Sequence, residues 1–160
     1  MTQIKIMSRE AMQEAIEKGL VRDAAVISFY DPESSKNPYR QEPMDYEGVC
    51  DTVFMVGIPD IDIEILAEYG YTIDTYFSEA DELAEFIIKA HEDGKDIICQ
   101  CEYGQSRSAA CAAAIREYFY RDGISVFADY RYYPNQLVFN ILLKALRAKN
   151  SISEKEEAQP

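Results

Sequence analysis

At 160 residues, with 48% apolar and 12% aromatic residues, the chain is large enough for one domain with a buried core and too apolar for a disordered protein. Its net charge of −13, from 29 acidic and 16 basic side chains, disfavours nucleic acids and anionic membranes as partners. Because no apolar run could span a bilayer and no signal peptide opens the chain, we expect a cytoplasmic protein.

The pattern of apolar residues predicts helices and strands that alternate along the chain. The predicted elements are, in chain order, a helix over 8–19, a strand over 24–30, a connector over 31–48, a strand over 51–58, a helix over 74–94, a strand over 96–100, a helix over 108–123 and a helix over 134–149. Ser8 caps the first helix and Gly19 ends it, and Asp74 is the expected cap of the helix that begins with it. Strands that alternate with helices predict an α/β fold, with a mainly parallel central sheet flanked by helices. We expect a single domain over 1–149 and a polar tail over 150–160.

The four cysteines of the chain are Cys50, Cys99, Cys101 and Cys111. Thiols stay reduced in the cytoplasm, so each cysteine either packs in the core or takes part in chemistry. Cys99 and Cys111 are predicted to pack in the core. On a straight strand, however, Cys99 and Cys101 would point to the same face, which leaves a regulatory disulfide or a thiol redox protein as an alternative.

The turn after the third predicted strand carries residues that suit phosphate chemistry. Ligands of parallel sheets bind at the carboxyl ends of the strands, and Cys101 lies at such an end. The start of the next helix and the Arg107 guanidinium would both favour the Cys101 thiolate. The five residues between them can surround a tetrahedral anion with backbone amides, and Gly104 allows the backbone conformation that this needs. Arg107 can bind two phosphate oxygens at once.

These residues predict an attack of the Cys101 sulfur on phosphorus, after which water hydrolyses the phosphocysteine. Ser108 would donate a hydrogen bond to the sulfur and ease its departure in the second step. The alternative is a buried cysteine and a surface arginine at a coincidental spacing. Gly104, Ser108 and the strand–turn–helix context count against that alternative.

The pattern Cys-x-x-Gly-x-x-Arg-Ser over residues 101–108 resembles the signature of the cysteine-dependent protein tyrosine phosphatases, in particular their compact dual-specificity-like branch. The strand before it, the alanine-rich helix after it and the Pro-Asn pair at 134–135 extend the resemblance over residues 20–148. The resemblance implies a protein tyrosine phosphatase-like fold, with Cys101 as the nucleophile and Arg107 as the phosphate ligand. It also implies that the backbone amides around the phosphate belong to Glu102, Tyr103, Gly104, Gln105 and Ser106.

The same resemblance implies a reaction that needs neither a cofactor nor a metal ion. The expected substrate is a phosphorylated protein, with phosphotyrosine ahead of phosphoserine and phosphothreonine, or a small phosphate ester. The side chains over 102–106 include no lysine or arginine, which favours a monophosphate ester over a phosphoinositide. Tyr39 in the connector could line a phosphotyrosine pocket, although an exposed loop tyrosine is the simpler interpretation.

One position departs from the pattern of the family. Relatives carry a histidine immediately before the nucleophile, where this sequence has Gln100. A glutamine can form similar hydrogen bonds but cannot carry a charge. A phosphate-binding pseudophosphatase is therefore the alternative function.

Relatives use an aspartate upstream of the nucleophile to protonate the leaving group. Here Asp60 and Asp62 follow the strand over 51–58, at the edge of the sheet where Cys101 is expected. Asp60 is the predicted acid because it comes first after the strand and lies beside Pro59; Asp62 is the second candidate. Solvated loop carboxylates are the alternative for both residues.

Overall fold

The computed structural model of the protein describes residues 2–34 and 36–157. Within these residues the chain forms four β-strands and six α-helices, together with a 3₁₀ turn at Ala67–Tyr69. In chain order they are β1 (Ile4–Met7), α1 (Arg9–Glu17), β2 (Ala25–Tyr30), β3 (Thr52–Gly57), α2 (Ile73–Tyr76), α3 (Ala80–Glu92), β4 (Ile97–Gln100), α4 (Arg107–Tyr120), α5 (Ile124–Phe127) and α6 (Gln136–Glu157).

The strands form one parallel sheet in the order β1-β4-β2-β3, which confirms the predicted α/β fold. In the register of the sheet, Gln100 at the end of β4 lies beside Met7 of β1 and Ser28 of β2. Because all four strands run in the same direction, their carboxyl ends meet at one edge of the sheet. This edge is where ligands bind in parallel sheets.

Each face of the sheet is covered by its own hydrophobic core. Successive residues of a strand point to opposite faces, so Ile27 and Cys99 pack against the larger core, which includes residues of α3, α4 and α6. Val26 and Ile98 face the smaller core, which contains Met12 of α1 and buried residues of the connector. The site-bearing edge is thus held between two packed layers.

Three of the four strands lie within one or two residues of their predicted positions. β1 was not predicted, because four residues are too few for an alternating pattern to stand out from its surroundings. The predicted cap of α1 is confirmed, since the Ser8 Oγ accepts a hydrogen bond from the Ala11 N–H at 3.1 Å. Gly19 follows the helix with a φ of 69°.

The single helix predicted over 74–94 is wrong at its start, because the chain forms two helices there. α2 is capped by Thr72, whose backbone N–H donates to the Thr75 hydroxyl at 2.8 Å, and Asp74 lies in the first turn rather than at the cap. Phe77 then leaves the helical conformation, with φ −128° and ψ 65°, and ends α2 before α3 begins.

The last two predicted helices also have different ends. α4 ends at Tyr120, because Arg121 after it takes a left-handed conformation with a φ of 54°, and Gly123 precedes the short α5. α6 continues to Glu157, beyond the predicted end at 149, since its sequence contains no glycine or proline to interrupt it. The predicted tail therefore begins inside a helix, and residues 158–160 lie outside the described residues. Along the described part of the chain, no helix has both the length and the apolar character to cross a membrane.

Candidate active site

The candidate site lies where the four strands end, and each strand contributes to it. β1 leads into Ser8, β2 into Asp31 and β4 into Cys101. β3 leads into the segment that contains Asp60. Residues that are far apart in the sequence are thereby brought to one edge of the sheet.

The segment from Cys101 to Arg107, here called the phosphate loop, joins β4 to α4. Cys101 is 3% exposed, and its Sγ lies 3.0 Å from the hydroxyl oxygen of the fully buried Ser108. The helix α4 begins at Arg107, so its N-terminal end, which favours negative charge, adjoins the loop. The structure thus places the Ser108 hydroxyl within hydrogen-bonding distance of the Cys101 sulfur, with Arg107 at the start of the same helix.

The Arg107 guanidinium is buried and only partly satisfied. Its Nη1 donates to the Asp31 Oδ1 at 2.8 Å and to the Ile58 carbonyl oxygen at 2.7 Å. Its Nε has no hydrogen-bond partner among the described residues, although the side chain is only 5% exposed. A buried donor without an acceptor is costly, and an oxyanion is the group that the guanidinium fork fits best.

Asp31 was not among the residues predicted for the site. It directly follows the strand predicted over 24–30, so the rule that selected Asp60 would also have selected it. The sequence did not show that Arg107 is the partner of Asp31, because no sequence pattern indicates which residue at the edge of the sheet Arg107 contacts.

One side of the phosphate loop rests on the turn between β1 and α1. Gly104 has a φ of 67°, and a Cβ added there would lie 2.6 Å from the backbone nitrogen of Ser8. Arg9 holds Glu102 twice, through its backbone N–H to the Glu102 carbonyl oxygen at 3.0 Å and through its Nε to the carboxylate at 2.8 Å. The strand that the sequence did not reveal therefore supports the loop.

The other side of the loop is held by the segment that leads into α6. The Tyr133 N–H donates to the Gln105 carbonyl oxygen at 2.8 Å, and the Asn135 N–H donates to that of Ser106 at 3.1 Å. The Asn135 side chain also caps α6, because its Oδ1 accepts from the Val138 N–H at 2.9 Å. Asn135 of the Pro-Asn pair thus connects the start of α6 to the phosphate loop through hydrogen bonds to both.

The two candidate acids have different surroundings. The Asp60 Oδ1 accepts from the Ser106 hydroxyl at 2.7 Å and from the Asn135 side-chain amide at 2.9 Å, which places Asp60 beside the loop. The Asp62 Oδ1 accepts from the backbone N–H of Glu64 at 2.9 Å. Both aspartates line a cavity of about 570 Å³, but Asp60 is the one bonded to the loop.

Gln100, at the position of the family histidine, belongs to a buried polar group behind the loop. Its Oε1 accepts from the Ser28 hydroxyl and lies 3.1 Å from the Tyr46 hydroxyl oxygen. The two hydroxyls are themselves 2.9 Å apart. Burial raises the pKa of Tyr46 to about 12, so its hydroxyl remains a proton donor at neutral pH. Uncharged side chains, those of Gln100, Ser28 and Tyr46, therefore lie behind the loop where the family has a histidine.

A second cavity, of about 690 Å³, opens beside the phosphate loop and includes Arg107 in its wall. The first part of the connector forms one side, and several tyrosines also line it: Tyr39, Tyr69, Tyr71 and Tyr103. Tyr39 is 90% exposed, so one face of its ring is available to a ligand as well as to solvent. The size and aromatic walls suit a ring-bearing ligand.

The predicted core positions of Cys99 and Cys111 are confirmed, since both are fully buried in the larger core. Burial and a hydrogen bond with Cys99 raise the pKa of the Cys111 thiol well above its ordinary value. All four cysteines are free thiols, so no disulfide joins Cys99 to Cys101 in this structure.

Comparison with known proteins relates the chain to phosphatases through structure alone. No protein-family model matches the sequence, and no curated protein matches it significantly. The structure of Tk-PTP in its active form matches with a TM-score of 0.54 and 19% identity, over 91% of this chain and 90% of that one. The structure of human DUSP28 matches with a TM-score of 0.53 and 17% identity, over 93% of this chain and 94% of that one. PTPMT1 matches with a TM-score of 0.50 and 15% identity, over 96% and 95%. The chain therefore has the compact fold shared by tyrosine and dual-specificity phosphatases.

Proposed function

We propose that the protein is a cysteine-dependent phosphatase that hydrolyses phosphate monoesters through a phosphocysteine intermediate. Its preferred substrate is phosphotyrosine in proteins, with phosphoserine and phosphothreonine as slower substrates. The observation that carries the proposal is the pairing of two buried groups at the two ends of one loop. They are the Cys101 thiol and the Arg107 Nε, which has no hydrogen-bond partner in the part of the chain that the structure describes. A reactive thiol of this kind needs a reducing compartment such as the cytoplasm.

Substrate binding would use the loop and the start of α4. The backbone amides of Glu102, Tyr103, Gly104, Gln105 and Ser106 surround the phosphate in this proposal. The Nε edge of Arg107 binds two phosphate oxygens, which gives an acceptor to a buried donor that has none among the described residues. The end of the α4 dipole favours both the bound anion and the Cys101 thiolate.

In the first chemical step the Cys101 thiolate attacks phosphorus and the ester oxygen departs. Asp60 donates the proton that this oxygen needs. Both hydrogen bonds to the Asp60 carboxyl end on Oδ1, so Oδ2 is the oxygen that would carry the proton. The products are a phosphocysteine and the free hydroxyl of the substrate.

In the second step water attacks the phosphocysteine and the sulfur departs as a thiolate. Asp60, now ionised, accepts a proton from the attacking water and is ready for the next cycle. The Ser108 hydroxyl, 3.0 Å from the Cys101 Sγ, donates a hydrogen bond to the departing sulfur and stabilises its negative charge.

The preference for phosphotyrosine is supported by the cavity that contains Arg107. The tyrosines in its walls can stack against the phenyl ring of a phosphotyrosine substrate. The shorter side chains of phosphoserine and phosphothreonine cannot reach these tyrosines. The loop side chains offer no additional cation for a second phosphate group, which supports a monophosphate ester.

The experiment is hydrolysis of p-nitrophenyl phosphate between about pH 5 and pH 8, with and without a chelator. We expect activity that survives the chelator and falls below about one-thousandth in Cys101→Ser. Cys50→Ser is the matched control, since Cys50 is a buried thiol in the smaller core.

Loss of activity on chelation, or equal rates for wild type and Cys101→Ser, would contradict the proposal. A folded, reduced wild type that binds phosphate without turnover would instead indicate the pseudophosphatase alternative. Gln100→His would then be the next variant to measure, since it restores the residue of the family pattern.

A further inference from the structure

The contact between Asp31 and Arg107 joins the end of β2 to the start of α4. The Arg107 side chain is 5% exposed and that of Asp31 is 26% exposed, so the pair is shielded from solvent on the arginine side. Surface ion pairs contribute little to stability, but a charge-assisted bond to a buried guanidinium restricts its orientation.

Among the described residues, the side-chain hydrogen bonds of Arg107 lie on one side of its guanidinium, at Nη1. Nη1 carries two protons, and the Asp31 Oδ1 and the Ile58 carbonyl oxygen accept them at 2.8 Å and 2.7 Å. Nε lies on the opposite edge, is buried and has no partner among the described residues. One edge is thereby fixed to the protein while the other is left to a ligand.

Asp31 is itself held in place. Its Oδ2 accepts from the Asn37 side-chain amide at 3.3 Å, and its carbonyl oxygen accepts from Arg40 at 3.5 Å. Its two carboxylate oxygens therefore have different roles, because Oδ1 binds Arg107 and Oδ2 binds the connector.

We propose that Asp31 is a positioning residue for Arg107. By accepting from Nη1, its Oδ1 turns the Nε edge of the guanidinium toward the bound phosphate. The inference rests on the proposed function, because it takes the phosphate site to be the loop that Arg107 closes.

A negative charge beside a phosphate ligand would weaken binding if charge alone mattered. Two explanations of the contact therefore predict opposite results. If Asp31 only competes with phosphate for Arg107, its removal strengthens phosphate binding. If Asp31 positions Arg107, its removal weakens binding, because the guanidinium must then be ordered by the ligand itself.

The test is calorimetric titration of the protein with inorganic phosphate in three variants. Asp31→Ala removes the acceptor, whereas Asp31→Asn keeps an oxygen that can accept from Nη1 and removes the charge. Glu33→Gln is the matched control, because Glu33 lines the same cavity but pairs with Arg40 at 3.1 Å. Melting temperatures without ligand report whether each variant is folded.

We expect Asp31→Ala to raise the dissociation constant for phosphate on the order of tenfold or more. Asp31→Asn is expected to bind as well as wild type or better, and Glu33→Gln to remain within about twofold. Unchanged or tighter binding in Asp31→Ala would overturn the proposal. So would an equal loss in Asp31→Asn, since the charge rather than the acceptor would then be responsible.

A measurement on the wild type keeps the proposal testable if Asp31→Ala does not fold. Saturating phosphate should shift the Nε–Hε resonance of Arg107 in a proton–nitrogen correlation spectrum, with the peak assigned by its absence in Arg107→Lys. No shift at saturation would overturn the proposal. Neither measurement requires turnover, so a failure of the proposed hydrolysis would appear separately, in the comparison of wild type with Cys101→Ser.

Discussion

At the scale of single residues, Asp60 is the side chain on which release of the leaving oxygen depends in the proposed mechanism. Asp60 is bound to the phosphate loop through Ser106 and to the segment before α6 through Asn135. Asn135 also donates to the Ile61 carbonyl oxygen at 3.1 Å, so it fixes the backbone next to Asp60 as well as the carboxyl group. These contacts hold the Asp60 carboxyl group beside the phosphate loop, which is where the proposed mechanism needs the acid.

Asp60→Asn should therefore lower the hydrolysis of phenyl phosphate about 10²- to 10⁴-fold, because an amide cannot supply the proton. The loss should be much smaller for p-nitrophenyl phosphate, because its leaving group is a weaker base and depends less on protonation. Steady-state rates for the two substrates across pH test this, and the variant should also lose the fall in rate on the alkaline side.

Asp62→Asn is the control for Asp60→Asn, since Asp62 lines the same cavity and bonds to Glu64 rather than to the loop. It should retain most of the wild-type rate with both substrates. A larger loss in Asp62→Asn than in Asp60→Asn would show that the second candidate is the acid.

At the scale of elements, the phosphate loop depends on its fit against the turn from β1 to α1. A Cβ at Gly104 would lie 2.6 Å from the Ser8 nitrogen and 2.9 Å from the Met7 carbonyl carbon, both of which are backbone atoms. Neither atom can move without shifting β1 or the start of α1. The conformation of the phosphate loop therefore depends on the position of this turn.

Gly104→Ala should lower kcat/KM by more than about tenfold and reduce the free energy of unfolding by roughly 1 to 3 kcal/mol. The alanine must accept a positive φ, and its methyl group also displaces the loop from the turn. Denaturant unfolding and p-nitrophenyl phosphate kinetics measure the two effects.

Gly94→Ala separates these causes, because Gly94 has a similar φ of 70° and its added Cβ would meet nothing within 4 Å. This variant should lose stability but keep its catalytic constants. If Gly104→Ala loses stability without losing activity, the proposed dependence of the loop on the β1–α1 turn is contradicted.

The sequence predicted the parts of this site that are contiguous in the chain. Cys101, Gly104 and Arg107 lie within seven residues, and a strand and a helix with clear apolar patterns flank them. Asp60 followed from the rule that parallel strands end at one edge. β1 could not be found in this way, because four residues at the edge of a sheet carry too little pattern.

Contacts between distant segments were beyond sequence reasoning for a different physical reason. Asp31 and Arg107 are 76 residues apart, and their pairing depends on the order of the strands, which apolar patterns do not determine. The Tyr46 hydroxyl reaches Gln100 across 54 residues in the same way. A single sequence shows which residues follow a strand but not which strands are neighbours.

At the scale of the whole molecule, the net charge of −13 opposes the arrival of any anionic substrate. In the proposed reaction, the phosphate loop must therefore attract the phosphate group locally against this field. Salt screens charges that are far apart more than it screens the short contacts within the loop. Varying the ionic strength therefore separates the long-range repulsion by the net charge from the short-range attraction within the loop.

Raising the salt concentration from about 10 mM to about 150 mM should lower KM a few-fold for a phosphotyrosine peptide flanked by glutamates. For the same peptide flanked by lysines, KM should rise, since screening then removes an attraction. Initial rates for the two peptides test this, with kcat as the check that salt leaves the chemistry unaffected. A change of KM in the same direction for both peptides would contradict a role for the overall charge.

The pairing of β1 with β4 also bears on when the proposed phosphatase activity would arise during folding. Residues 4–7 pair with residues 97–100, and the loop between β4 and α4 is closed on its other side by Asn135. Contacts between such distant segments form late, because closing a long loop costs chain entropy before the contact can compensate for it. Catalytic activity should therefore return with the last kinetic phase of refolding, and it would report on completion of the fold more strictly than helix content does.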